Sequence, residues 1–345
     1  MAQTREIQLL SWGEDSGRGN LLGIQPWMTP VDYATENSIY TKLGGYLSVA
    51  RREGWLNRSS VVVWPEYIGT WLITLGESSG VHRASSLGRA MRRIAARHPF
   101  RFVGALFASP ERDKSTAALL RTQAEVLSRR YQTLFADLAA DYGVTMVAGS
   151  VVLPDPRVVK GDLMVGRWPL CNVAAVFRPD GSLYTKLVRK VYPVEAERRF
   201  TTPASLADLP VLATHAGRLG VLICADAWYP TSYERLRSQN VEMIAVPAHA
   251  TEPGGWTKPW GGYNGFPAPD DVAPEDVGRL TEAEAWRTYA LAGRIAHSGA
   301  TVGITVFMVG ELWDLGAEGA SEIVIPGAPA ITAQPGTPAL LNYWF

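Results

Sequence analysis

The stretch from Gly217 to Pro247 constrains this chain more than any other. Leu219 to Ile223 is a short, continuous, apolar run, as expected of a buried strand. It stops at Cys224. Asp226, Pro230, Thr231 and Ser232 follow, residue types that open helices. Tyr233 and Leu236 continue an amphipathic piece, and Met243 to Pro247 is a second strand-like run. Strand, sharp turn, helix, strand is the repeating unit of an α/β fold. A side chain on such a turn is exposed at the strand end, and the backbone N–H groups behind it can hold an oxyanion.

A lone free cysteine is more often a small core residue than a nucleophile. Two other strand ends change the reading. Val61 to Val63 runs into Trp64, Pro65 and Glu66, and Leu187 to Val191 carries Lys190. A thiol, a carboxylate and an ammonium at three strand ends can converge on one rim of a sheet. Lys186 competes with Lys190, because residues four apart share a strand face. Lys190 is nearer the strand end and is followed by Val191, Tyr192 and Pro193.

With these motifs, the chain resembles the nitrilase (carbon–nitrogen hydrolase) superfamily. The resemblance rests on Trp64-Pro65-Glu66, on Arg189-Lys190-Val191 and on the run from Leu222 through Cys224 to Pro230. Val147 to Ser150, Asn172 to Gly181 and Met243 to Pro247 are lesser landmarks, all in the family's order along the chain. It implies a Cys224–Glu66–Lys190 triad and an α/β fold of the nitrilase type, a four-layer α-β-β-α sandwich. It also implies a second glutamate that orients the lysine; Glu197 is a better match than Glu195, and a solvated turn is the competing reading for both. Tyr67 and Ala225 adjoin the triad. Trp228, Tyr229 and His249 either line an acyl pocket or pack beneath the turn.

The implied chemistry suits a poor electrophile. A thiolate splits amide hydrolysis into two easier steps. Glu66 would take the thiol proton, pass it to the leaving nitrogen and then activate water. Lys190 and the N–H groups behind Cys224 would stabilise the oxyanion. Glu66 and Lys190 are expected to keep each other ionised. True nitrilases tend to carry Trp-Glu after the cysteine. Ala225-Asp226 here leans toward amide or carbamoyl substrates over nitriles. Water or an amine as acceptor both stay open, so an amide-forming acyltransferase and a non-catalytic binding protein on the same fold are the alternatives.

The rest of the chain reads as one domain, 1–345. Residues 1–19 read as an N-terminal extension, and Leu21 to Gln25 as the first strand. A helix capped by Asp32 is expected to run to Arg52, and a long one from Thr116 to Tyr142, ended by Gly143. Residues 83–101 carry six arginines on a helix, expected to be a solvated face. Val173 to Phe177 and Leu183 to Val191 read as a β-hairpin about Pro179 to Gly181. Residues 251–276 form a long loop rich in Gly, Pro and aromatics, the kind that is often functional. Trp256 and Trp260 in it are expected either to cap the site against an apolar acyl group or to meet a partner subunit. Thr281 to His297 reads as a helix, and Thr301 to Val309 and Ser321 to Ile325 as closing strands. The apolar tail ending in Tyr343, Trp344 and Phe345 should be packed, and it suggests a homodimer or higher homo-oligomer.

Composition excludes several classes. Thirty-three basic and 33 acidic residues balance, so no global field calls for nucleic acid or an anionic membrane. Two cysteines, Cys171 and Cys224, make neither a disulfide scaffold nor a close redox pair, and with five histidines they show no metal-ligand spacing. No metal or cofactor is expected: no phosphate-binding glycine loop of the usual pattern appears. Met1 to Asn20 has charges and no long apolar core, and no run approaches the ~20 apolar residues of a spanning helix. A cytoplasmic protein acting on a small-molecule amide or nitrile, with water, is the expectation.

Overall fold

In a computed structural model, which describes residues 5–345, the apolar strands are buried on both faces. Along Asn20–Gln25, Leu21 joins one hydrophobic core while Leu22 and Ile24 join the other. Val61 and Val63 of Ser60–Val63 divide from Val62 in the same way. Alternation of period two therefore feeds two cores from one sheet. Each fully buried leucine or valine here contributes roughly 1.5–3 kcal/mol.

Two six-stranded sheets face each other. The first runs Gln8–Trp12, Ala339–Trp344, Asn20–Gln25, Ser60–Val63, Thr145–Val147, Val176–Phe177. The second runs Val211–Thr214, Gly217–Val221, Met243–Ala248, Val302–Phe307, Glu322–Val324, Ile331–Thr332. Gly23 sits where the sheets meet: a Cβ there would lie 2.5 Å from Ile304 Cδ1. Helices Glu36–Arg52 and Ala124–Tyr142 pack on the outside of the first sheet, and Pro230–Arg237 and Leu291–Arg294 on the outside of the second. The result is the α-β-β-α sandwich.

Parallel pairing decides where chemistry can be placed. Asn20–Gln25, Ser60–Val63 and Thr145–Val147 are mutually parallel, as are Gly217–Val221, Met243–Ala248 and Val302–Phe307. Glu66, Cys224 and His249 thus all follow the carboxyl ends of parallel strands. A third sheet, Val188–Arg189, Leu170–Ala174 and Val151–Pro154, carries Lys190 at its edge.

Several elements differ from the sequence reading. Asp32 belongs to a separate turn, Pro30–Tyr33, where its carboxylate accepts the Thr29 N–H at 2.7 Å; the helix starts at Glu36 with Thr35 as its cap. The expected 116–142 helix breaks at Gln123 into Lys114–Thr122 and Ala124–Tyr142. The one expected at 281–297 breaks at Ala290. Val173 pairs with Arg189 while Val176–Phe177 leaves to join the first sheet, so the hairpin is split between two sheets.

Both termini are integral to the fold. Residues 1–4 lie outside the described residues, but Gln8–Trp12, read as extension, is an edge strand parallel to Ala339–Trp344. The apolar tail is itself a strand, antiparallel to Asn20–Gln25, with Leu340 and Leu341 fully buried. It is used within its own chain, so the homo-oligomer expected from it loses that ground. Residues 83–101 form Leu87–Arg97 and the start of Pro99–Ala108. Arg97 pairs with Glu77 at 3.1 Å, and Arg83, Arg89, Arg92, Arg93 and Arg101 are exposed. Phe100 and Phe107 are 92% and 86% exposed on the second of these helices. Among the described residues no helix is long and apolar enough to cross a membrane.

Candidate active site

Cys224 sits on a left-handed backbone, φ +50°, at the start of the turn Cys224–Trp228. For a residue with a Cβ this conformation costs roughly 1–2 kcal/mol. Its neighbours hold it there. Leu222 N–H donates to the Ala245 carbonyl at 2.9 Å, and Ile223 N–H donates to Asp226 Oδ2 at 3.1 Å. Asp226 Oδ1 accepts from the N–H groups of Val191 at 2.9 Å and Tyr192 at 2.7 Å. One buried carboxylate therefore ties the cysteine turn to the backbone just after Lys190. In sequence Asp226 reads as a helix-start residue, and its role as a tie between two turns is not visible there. The signal was a carboxylate in an otherwise apolar run, which must be satisfied if buried.

Glu66 is placed by a second turn. Trp64 N–H donates to the Val147 carbonyl at 3.0 Å, Tyr67 N–H to the Ser150 hydroxyl at 3.0 Å and Gly69 N–H to the Ser150 carbonyl at 3.0 Å. Gly149 lets the chains meet: at φ +60°, a Cβ would stand 2.0 Å from the Pro65 carbonyl oxygen. Only glycine fits that approach.

The charged groups form one connected cluster. Lys190 Nζ donates to Glu66 Oε1 at 2.7 Å and to Glu197 Oε2 at 2.6 Å. Asn172 Nδ2 donates to Glu66 Oε1 at 2.9 Å and Glu197 Oε1 at 3.0 Å. The Tyr67 hydroxyl donates to Glu197 Oε1, and the Val194 N–H to Glu197 Oε2 at 2.9 Å. Asn172 was a sequence landmark without a role; here it bridges both carboxylates. Glu195 is corrected: it is exposed and lies 3.6 Å from Arg112 on the surface. Lys186 is also exposed.

Electrostatics set the resting state. Burial raises the Glu66 carboxyl, Lys190 opposes it, and Glu197 adds to the rise, leaving it at about 7. The expectation that Glu66 and Lys190 keep each other ionised agrees with the raised lysine and is corrected for Glu66, because desolvation of a buried carboxylate outweighs one ion pair. Burial and the Glu66 charge push the Cys224 thiol well above its ordinary value, so it rests protonated beside its base. Lys190 is desolvated, yet Glu197 and Glu66 raise it well above the usual lysine value, so it stays charged. Glu197 is held below its ordinary value: Lys190, with the Lys190 and Tyr67 hydrogen bonds, outweighs burial. Burial drives His249 down to about 4, leaving its ring neutral.

These groups open into a cavity of about 880 Å³ that Glu66, Lys190, Glu197 and Cys224 all line. Tyr67, Ala225, Trp228, His249, Trp256 and Trp260 line it too. Trp228 stacks on Trp260 with ring centres 5.6 Å apart, and His249 meets the Tyr67 ring edge-on at 6.1 Å. The aromatic loop thus lies in the cavity wall of its own chain. Among the described residues, no group of three His, Cys, Asp or Glu side chains is arranged to hold a metal. Cys171 is buried in Leu170–Ala174, apart from these groups.

A family model described as carbon-nitrogen hydrolase matches residues 28–309. No curated protein matches the sequence significantly. Among solved structures the fold is similar to the amidase from Nesterenkonia sp. AN1. A mutant of that enzyme with acrylamide added to its active-site cysteine aligns at TM-score 0.55 and 14% identity, covering 94% of this chain and 92% of that one. A double mutant in complex with acrylamide aligns at 0.56 and 13%, covering 96% and 92%. A mutant in complex with butyramide aligns at 0.55 and 13%, covering 94% and 90%.

Proposed function

This chain belongs to the carbon–nitrogen hydrolase family, and we propose that it hydrolyses an amide through a thioester on Cys224. One observation carries the reading: Lys190 is clamped between Glu66 and Glu197 beside a thiol on a strained turn, facing a cavity.

The proposed steps use the groups that line the cavity. Sγ of Cys224 attacks the carbonyl carbon as Glu66 takes the thiol proton. The carbonyl oxygen becomes an oxyanion, stabilised by the Lys190 ammonium and the N–H groups behind Cys224. The carbonyl reforms, the C–N bond breaks, and Glu66 returns its proton to the leaving nitrogen. Glu66 then takes a proton from water as its oxygen attacks the thioester carbonyl; the C–S bond breaks, the carboxylic acid forms, and Glu66 returns that proton to the departing thiolate. Tyr67, Asn172 and Glu197 position Lys190 and Glu66 and touch no reacting atom. The acyl group lies against Trp228, Trp256 and Trp260, since a flat apolar wall binds apolar or aromatic acyl groups and excludes water.

Intact-protein mass spectrometry tests this. Incubation with a panel of amides and nitriles should give an acyl adduct that maps to Cys224 and is absent in Cys224→Ala. Hydrolysis that persists in Cys224→Ala would refute the covalent route.

A further inference from the structure

The cavity has two walls of different chemistry. One is aromatic: Trp228, Trp256, Trp260 and Trp286 line it, and all four belong to the core that also contains Cys224. The other is mostly aliphatic: Leu87, Met91, Phe102, Leu119 and Leu120. These come from the helices Leu87–Arg97, Pro99–Ala108 and Lys114–Thr122, and they pack in or against the opposite core. Of the polar lining groups beyond the Glu66–Lys190–Glu197 cluster, Arg92, Lys258, Glu252 and Asn264 are exposed, while Thr70 and His249 are buried and Glu282 is half-buried. A primary amide would use only the aromatic wall and leave the aliphatic one facing water. About 880 Å³ is near the upper end of what a drug-sized ligand fills.

The two walls can be assigned to the two sides of the scissile bond. Tyr67 and Ile68, the two residues that follow Glu66, and Trp71 in the next turn pack in or against the core on the aliphatic side. The leaving nitrogen must come within hydrogen-bond reach of the group that protonates it. On the amide-hydrolase reading, on which this inference rests, that group is Glu66. The nitrogen and whatever it carries therefore face Leu87, Met91 and Leu119, while the acyl group faces the tryptophans.

We propose that the substrate is a secondary amide whose nitrogen bears an alkyl chain, so that the amine released is an alkylamine and not ammonia. The test holds one aromatic acyl group constant, phenylacetyl, and lengthens the nitrogen substituent from hydrogen through methyl and butyl to hexyl. Wild-type kcat/KM, read as phenylacetate release, should rise along the series by up to about fourfold per methylene desolvated in the cavity. Met91→Trp, which fills the aliphatic arm, should cut the hexyl-to-methyl ratio at least tenfold. A flat or falling series in wild type overturns the inference whether or not that variant folds. An adduct on Cys224 with the primary amide but no gain along the series leaves the hydrolase reading standing and removes only this one. Finding neither an adduct nor phenylacetate release with any member removes both.

Discussion

Lys190 and Glu66 form a buried ion pair, Nζ to Oε1 2.7 Å, with both side chains 2% exposed. Coulombic attraction favours the charged forms, but taking both from water costs several kcal/mol per ion. Glu66 consequently titrates at about 7, where a group that must both take and return a proton works best. On the proposed mechanism kcat/KM should rise tenfold per pH unit below about 7 and then level off. Lys190, raised well above the usual lysine value, keeps the plateau flat into alkaline solution. A pH–rate profile of the free enzyme checks this; a midpoint near 4.5, the ordinary glutamate value, would refute the role of burial.

Asn172 shares its amide between the two carboxylates. Asn172→Leu removes that donor from Glu66, and hydrogen bonds to charged groups are worth about 1.5–3 kcal/mol. The rising limb should move up by about one pH unit, since one unit corresponds to about 1.4 kcal/mol. A drop in kcat/KM with an unmoved midpoint would mean that Asn172 only fills space.

Asp226 links the cysteine turn to the lysine strand while fully buried, and burial lifts its pKa from 3.8 to about 7. Its folded state therefore binds a proton more tightly than its unfolded state. That contribution to stability is complete below about 3.8 and is lost as pH rises through about 7. Asp226→Asn lacks the charge and forfeits one acceptor. Its deficit in unfolding free energy relative to wild type should shrink as pH rises from 4 to 8, by up to roughly 4 kcal/mol. Urea titrations of both proteins across that range decide it, and a deficit independent of pH would contradict the burial argument.

Cys224 holds a left-handed φ of +50°. Cys224→Ala and Cys224→Gly should both be inactive, but glycine releases the conformational strain. The glycine variant is expected to be the more stable of the two by about 1 kcal/mol, measured by denaturant unfolding. Equal stability would mean that the turn costs nothing.

Ala339–Trp344 lies between two strands, and the Asn20 amide donates to Asn342 Oδ1 at 2.5 Å inside the sheet. Deleting residues 340–345 removes two fully buried leucines, at about 2–5 kcal/mol each, together with a strand's ladder. The truncated chain should be insoluble or lose cooperative thermal unfolding. A truncated protein that melts like wild type would show the strand to be dispensable.

Sequence alone made Glu66, Lys190 and Cys224 candidates, because an apolar run that leads to a chemically active side chain needs no long-range information to be seen. It also separated Lys190 from Lys186 by nearness to the strand end. Helix breaks at Gln123 and Ala290 were invisible, because their apolar spacing carries across the break and only packing interrupts it.

The tail shows the same limit from the other side. Its apolarity required burial, yet a strand within its own sheet and a contact with another subunit look alike in one dimension. Asp226 and Asn172 were legible as residues and illegible as partners. A carboxylate's hydrogen bonds to backbone 34 and 35 positions away, and an amide shared between residues 25 and 106 positions away, exist only once three strands have been brought to one rim. Local chemistry follows from side-chain type and spacing. Which charges share a desolvated pocket, and hence that Glu66 rises to about 7 while Glu197 falls, depends on distances that only the folded sheets create.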